Sequence, residues 1–166
     1  MKYIYYTIIL LISLNISCNK EKKESKNPNN MQTVQSKNNV NQSVEEVWNK
    51  LIAFGGTEKF VPNMIEKVTI KGNGIGAIRT IYLKPEGIIK EELTYLDIAN
   101  KVMKFKILST PMPLKDYVGT ITVSESIDEK CLVSFTSEYI VLSENIEEIN
   151  TIIKNFQETF LLNLYK

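Results

Sequence analysis

An arginine and a glutamate stand at matched distances from a proline turn. Lys84-Pro-Glu-Gly87 separates two alternating runs, Ala77-Ile-Arg-Thr-Ile-Tyr-Leu83 and Ile88-Ile-Lys-Glu-Glu-Leu-Thr-Tyr-Leu96. With Pro85 at the centre of a hairpin, Arg79 and Glu91 are equidistant from it and lie opposite each other. Arg79 shares parity with Ile81 and Leu83, and Glu91 with Leu93 and Tyr95, so both belong to the face that alternation marks as buried. A charge pair on an inner face suggests a cavity, because packed cores rarely bury charge. The chemistry such a pair offers is proton abstraction. Burial would raise the pKa of Glu91 toward that of a general base, and Arg79 or Tyr117 would stabilise an enolate oxygen. The same arginine lowers that pKa, which works against the base. The plain structural alternative is a cross-strand ion pair near the barrel end, solvated and worth little.

The elements that must position this pair follow from periodicity. Asp97-Ile-Ala-Asn-Lys101 turns the chain into a third alternating run, Val102 to Leu108. Upstream, Thr33 to Val40 is a weakly apolar strand suited to a sheet edge. Ser43-Val-Glu-Glu46 is a capping box for a helix whose apolar face is Val44, Val47, Trp48 and Leu51. Phe54-Gly-Gly56 ends that helix, and Thr57 to Pro62 forms a second short helix or turn. Val68 to Lys71 is the next strand. Gly72-Asn-Gly-Ile-Gly76 joins two strands rather than a strand and a helix, so it reads as a turn and not as a phosphate loop. Leu114 to Ser126 and Cys131 to Leu142 are two further strands, joined by Ile127-Asp-Glu-Lys130. From Asn145 to Tyr165, apolar residues Ile146, Ile149, Ile153, Phe156, Phe160 and Leu164 recur at helical spacing, with Glu144, Glu147 and Glu148 at the N-terminus. The expected class is α+β: a curled antiparallel sheet holding a long C-terminal helix, with space for a small ligand between them.

Composition removes several functions. The chain has 166 residues, a net charge of +1 and no histidine. Ser-His-Asp and Cys-His catalysis and histidine-ligated metals are therefore excluded, and no phosphate loop or paired CxxC motif implies a cofactor. Met1-Lys2 precedes an apolar run, Tyr3 to Leu14, too short to span a bilayer comfortably and followed by Asn15-Ile-Ser-Cys18. This pattern resembles a bacterial lipoprotein signal, cut before a cysteine that then carries lipid. It departs at Asn15, where an aliphatic residue is usual. An uncleaved anchor and a soluble secreted protein are the alternatives. The expected organisation is a signal peptide over residues 1–17, a disordered tether over 18–30 with lipidated Cys18, and a ligand-binding domain over 31–166. That places the protein in the cell envelope, anchored to a bacterial membrane and facing the periplasm or exterior. Acids nearly match lysines in the tether and no aromatic interleaves them, so nucleic acid is not an expected partner. Cys131 opens an apolar strand and reads as a small buried hydrophobe, alone if Cys18 carries lipid.

Between about Val34 and Tyr165 the chain resembles the START-like, or SRPBCC, helix-grip superfamily, in its polyketide cyclase/dehydrase-like branch. That superfamily includes the birch-pollen allergen family (Bet v 1-like) and the plant abscisic-acid receptors. The marks are Val47-Trp48, Phe54, Phe60-Val-Pro62, Gly76-Ala-Ile-Arg79, Glu91-Glu-Leu93 with Asp97, and Pro113-Leu-Lys-Asp-Tyr117, in that order and spacing. The resemblance implies about seven strands wrapped around the C-terminal helix and a hydrophobic cavity between them. It implies that Leu83 to Gly87 matches a gate loop and Met112-Pro-Leu114 a latch. The receptors' Ser-Gly-Leu-Pro gate and His-Arg-Leu latch are missing, so hormone reception is not supported. Glu91 and Tyr117 fall on ligand-touching positions, and Arg79 on a recurrent arginine. Phe60, Tyr95, Phe105, Met112, Phe156 and Phe160 complete the expected lining, with Met112 and Phe60 flanking the mouth. For Tyr117 the alternative is a core tyrosine with a satisfied hydroxyl, and for each aromatic it is ordinary packing.

Three functions follow. The preferred one is a lipid-anchored module that binds a small hydrophobic or amphipathic molecule. The second is a cyclase or dehydratase acting on a polyketide-like substrate, with Glu91 as base. The third is an envelope interaction protein whose cavity is filled by its own side chains.

Overall fold

The computed structural model describes residues 31–127 and 131–164. The expected signal segment, tether and Cys18 lie outside the described residues, as do residues 128–130 and 165–166. The element order is β1 (Met31–Val40), α1 (Val44–Ile52), α2 (Thr57–Phe60), β2 (Ile65–Lys71), β3 (Ile78–Leu83), β4 (Ile88–Asp97), β5 (Val102–Ser109), β6 (Leu114–Glu125), β7 (Cys131–Val141) and α3 (Ile146–Asn163). All seven strands form one antiparallel sheet in the order β1-β7-β6-β5-β4-β3-β2. From β2 to β7 each strand pairs with its successor, and β1 returns to the far edge beside β7. This is the expected α+β helix-grip architecture.

The capping box forms as read. Ser43 Oγ accepts from the Glu46 amide at 3.3 Å, and the Ser43 amide donates to Glu46 Oε2 at 2.9 Å. Val47, Trp48 and Leu51 are buried on the inner face of α1. The chain leaves α1 through two left-handed residues, Phe54 (φ 57°) and Gly56 (φ 70°), which turn it into α2.

Helix α3 packs on β1, β7 and α2. It buries Ile149, Ile153, Phe160, Leu161 and Leu164, and among them Gln157. The ring of Phe135 on β7 sits at the centre of the grip, 6.0 Å from Phe105 and 5.7 Å from Phe160 between centroids. Three strand starts or faces differ from simple alternation. β1 begins at Met31, because pairing with Ile140 extends it through polar residues that carry no periodic signal. β2 begins at Ile65 rather than Val68, since a register shift between Ile65 and Lys67 hides the alternation. In β4 a bulge between Leu93 and Tyr95 adds one residue against β5. That bulge turns Tyr95 outward.

Candidate functional site

The hairpin of β3 and β4 pairs Arg79 with Glu91 directly, as their spacing around Pro85 predicts. Arg79 Nε donates to Glu91 Oε2. The pair is not solvated: Arg79 is 7% exposed and Glu91 5%. The guanidinium lies 4.2 Å from the ring centroid of Phe54 and 4.6 Å from that of Phe105. Its Nη1 donates to buried Thr57 Oγ1 at 3.3 Å. Aromatic faces and one carboxylate thus replace the water this cation loses. Glu91 Oε2 is committed to Arg79, and Glu91 Oε1 has no hydrogen-bond partner among the described residues.

Beside this pair is a cavity of about 230 Å³, between the sheet and α3. Ile81, Leu83, Ile89 and Ile107 line it from the strands, Met64 and Ile65 from the start of β2, and Ile152, Ile153 and Phe156 from α3. Met112 closes it from the β5–β6 loop, and Glu91 and Tyr117 supply its polar side chains. The two loops expected at the mouth meet there. A Cβ on Gly87 would stand 3.2 Å from Leu83 and 3.4 Å from Pro111.

Of the residues singled out in the sequence, Glu91, Tyr117, Met112 and Phe156 share the cavity wall. Arg79 and Phe105 stand behind it. Phe60 and Phe160 form an edge-on pair at 5.2 Å that packs α2 against α3, and neither is among the residues lining the cavity. Tyr95 is corrected to the outer face: it is 44% exposed, its hydroxyl donates to Asp97, and Lys104 lies 5.8 Å from its ring. The aliphatic lining was not singled out, although Ile81 and Leu83 share the parity of Arg79. Two buried polar residues, Ser137 and Gln157, also escaped.

Those two are joined to Tyr117. Its hydroxyl is 2.7 Å from Ser137 Oγ, and Gln157 Nε2 donates to Ser137 Oγ at 2.8 Å and to the Val34 carbonyl at 3.2 Å. Burial first, and then the charge of Glu91, push the Tyr117 phenol far above its ordinary value, while the Ser137 hydrogen bond pulls the other way. Tyr139 stacks on Tyr117 at 5.9 Å and donates to Asn150 Oδ1 at 2.7 Å. Burial, with the charge of Glu147, pushes it up to about 12. Cys131 is free and buried, its thiol raised chiefly by that burial. Among the described residues no group of His, Cys, Asp or Glu could hold a metal ion, and no helix is long and apolar enough to cross a membrane.

A sheet closed on a terminal helix, with an apolar cavity carrying one carboxylate and one phenol, defines a helix-grip protein of the ligand-cavity type. The sequence profile described as polyketide cyclase/dehydrase and lipid transport matches residues 31–165, and the chain belongs to that family. No curated protein matches it in sequence. Among solved structures it is similar to the protein XoxI from Bacillus cereus, at 19% identity and a TM-score of 0.73, covering 80% of this chain and 92% of that one. It is also similar to ginseng major latex-like protein 151 from Panax ginseng, at 16% identity and a TM-score of 0.69, covering 82% and 96%. Norcoclaurine synthase from Thalictrum flavum, solved with dopamine and hydroxybenzaldehyde, is similar at 17% identity and a TM-score of 0.66, covering 81% and 84%. At these identities the likeness is one of fold.

Proposed function

We propose that this protein binds a small apolar or amphipathic molecule between its sheet and α3, at the cell envelope, anchored through a lipid on Cys18. The observation that carries the binding function is the cavity itself. About 230 Å³ lined by aliphatic side chains lies between the ~150 Å³ that accepts one benzene ring and the ~300 Å³ where drug-sized sites begin. A ligand of one or two rings, or a short branched chain, fits it. An interaction protein with a filled interior is less well supported, because α3 leaves this space open. The anchoring rests on the apolar run that ends in Ser17-Cys18.

Native mass spectrometry of the full chain, extracted from bacterial membranes, tests both parts. The expected result is an apolar molecule copurifying near one to one, reduced in Glu91→Leu or Tyr117→Phe, and a lipid mass on the chain that Cys18→Ala abolishes. A clean apo mass with no uptake of apolar probes would overturn the binding function. Unmodified Cys18 in a soluble fraction would overturn the anchor alone.

A cyclase or dehydratase is the second reading, favoured by one observation: Glu91 and Tyr117 share the cavity wall. In that reading Glu91 takes a proton and Tyr117 donates to the developing oxyanion. Turnover of a small enolisable ketone, lost in Glu91→Gln, would support it.

A further inference from the structure

Resting on the proposed binding function, we infer that the cavity selects an uncharged ligand carrying a hydrogen-bond-accepting oxygen, and that Gln157 and Ser137 impose this choice through Tyr117. Val34 O can only accept, so the Gln157 side chain must turn its nitrogen toward it, at 3.2 Å. The reverse orientation would bring two oxygens together. The chosen one leaves Gln157 Oε1 buried without a partner among the described residues, so the nitrogen's placement outweighs that loss. The other amide hydrogen of Gln157 then goes to Ser137 Oγ at 2.8 Å.

Ser137 is fully buried and, among the described residues, its hydroxyl has one further neighbour, Tyr117 Oη at 2.7 Å. Were Tyr117 the donor there, the Ser137 proton would be buried with no acceptor, the costly arrangement. Ser137 therefore donates to Tyr117. The Tyr117 proton is left unspent, on a residue that lines the cavity. Gln157, Ser137 and Tyr117 thus form a one-way relay, and its end in the cavity is a donor. Gln157 and Ser137 are positioning residues.

The charge of the ligand follows from the carboxylate that shares this wall with Tyr117. Arg79 is covered by Phe54 and Phe105 and held by Glu91, so its charge is not offered to the cavity. An anion would meet the Glu91 carboxylate instead. Fatty-acid carboxylates are disfavoured, and ketones, esters and ethers are favoured.

Three probes of one ring system separate these terms: naphthalene, 2-acetylnaphthalene and 2-naphthoate, titrated calorimetrically into the full chain near neutral pH. The ketone should bind about tenfold more tightly than the hydrocarbon, the size one hydrogen bond supplies, and the carboxylate more weakly than either. The carbonyl stretch of the bound ketone should move to lower frequency. Tyr117→Phe and Gln157→Leu should both bring the ketone-to-hydrocarbon ratio toward one. Equal binding of ketone and hydrocarbon with an unshifted stretch would overturn the donor assignment and leave the proposed binding function standing. A ratio that survives Gln157→Leu would overturn the relay. Tighter binding of 2-naphthoate than of the ketone would overturn the charge selection. Failure of every probe to bind would overturn this inference and the binding function together. Should Gln157→Leu not fold, the wild-type carbonyl shift decides the donor.

Discussion

Gly119 lies opposite Phe105 in the β5–β6 ladder, and the ring of Phe105 occupies the space where a side chain at 119 would begin. Three ring carbons stand within 3.0 Å of the position of a Cβ there. The ring so placed forms one of the two aromatic faces on Arg79. A missing side chain on β6 thereby shapes the surroundings of a cation on β3, three strands away.

Gly119→Ala should therefore act beyond its own strand. Forcing Phe105 aside overpacks the interior, and a loss of about 1–3 kcal/mol is expected in denaturant unfolding. A companion change, Phe105→Leu in the Gly119→Ala background, should recover part of the loss by vacating the site.

The Arg79–Glu91 pair yields a double-mutant cycle. Arg79→Met or Glu91→Leu alone should cost about 3–5 kcal/mol, because each strands a buried charge. The double variant should be far less damaged than the sum. Single losses below about 1 kcal/mol would restore the solvated-pair reading.

Alkaline pH should destabilise the fold through its buried tyrosines. Tyr139 is pushed up to about 12 from an ordinary 10.0, and Tyr117 is moved the same way. The folded chain then holds these protons more tightly than the unfolded chain does. The stability this contributes is whole below the unfolded value of 10.0, and it is lost as pH rises through the folded value of about 12. Unfolding midpoints measured across that window should fall with pH. The fall should be shallower in Tyr139→Phe than in the wild type.

At the start of α1, Ser43→Ala removes the acceptor for the Glu46 amide. A loss of about 1 kcal/mol is expected, and Ser43→Gly should cost only a few tenths. Because this helix end is remote from the cavity lining, probe binding should follow stability and show no separate change.

Much of this was legible from sequence. Arg79 and Glu91 could be placed together because a turn centre and period-two alternation specify both register and face. Tyr95 could not, because the bulge in β4 inserts one residue and reverses parity downstream of Leu93. Phe60, Phe105 and Phe160 have the composition of a lining but pack elsewhere, since type alone does not say which side of a helix meets a void. Gln157 interrupts the apolar stripe of α3, and nothing local marks it as buried. Its partners Val34 and Ser137 lie on other elements, 123 and 20 residues away.

The sequence by itself determined the order of elements, the capping of α1, the turn at Pro85 and the charge pair across it. These depend on interactions within a few residues or within one hairpin, which chemistry and spacing encode directly. Only the tertiary structure decided which side chains face the cavity, that Arg79 sits between Phe54 and Phe105, and that Gln157 reaches Tyr117 through Ser137. Those arrangements depend on how β1, β7 and α3 pack across long chain separations, where a single bulge or a missing Cβ redirects the contacts.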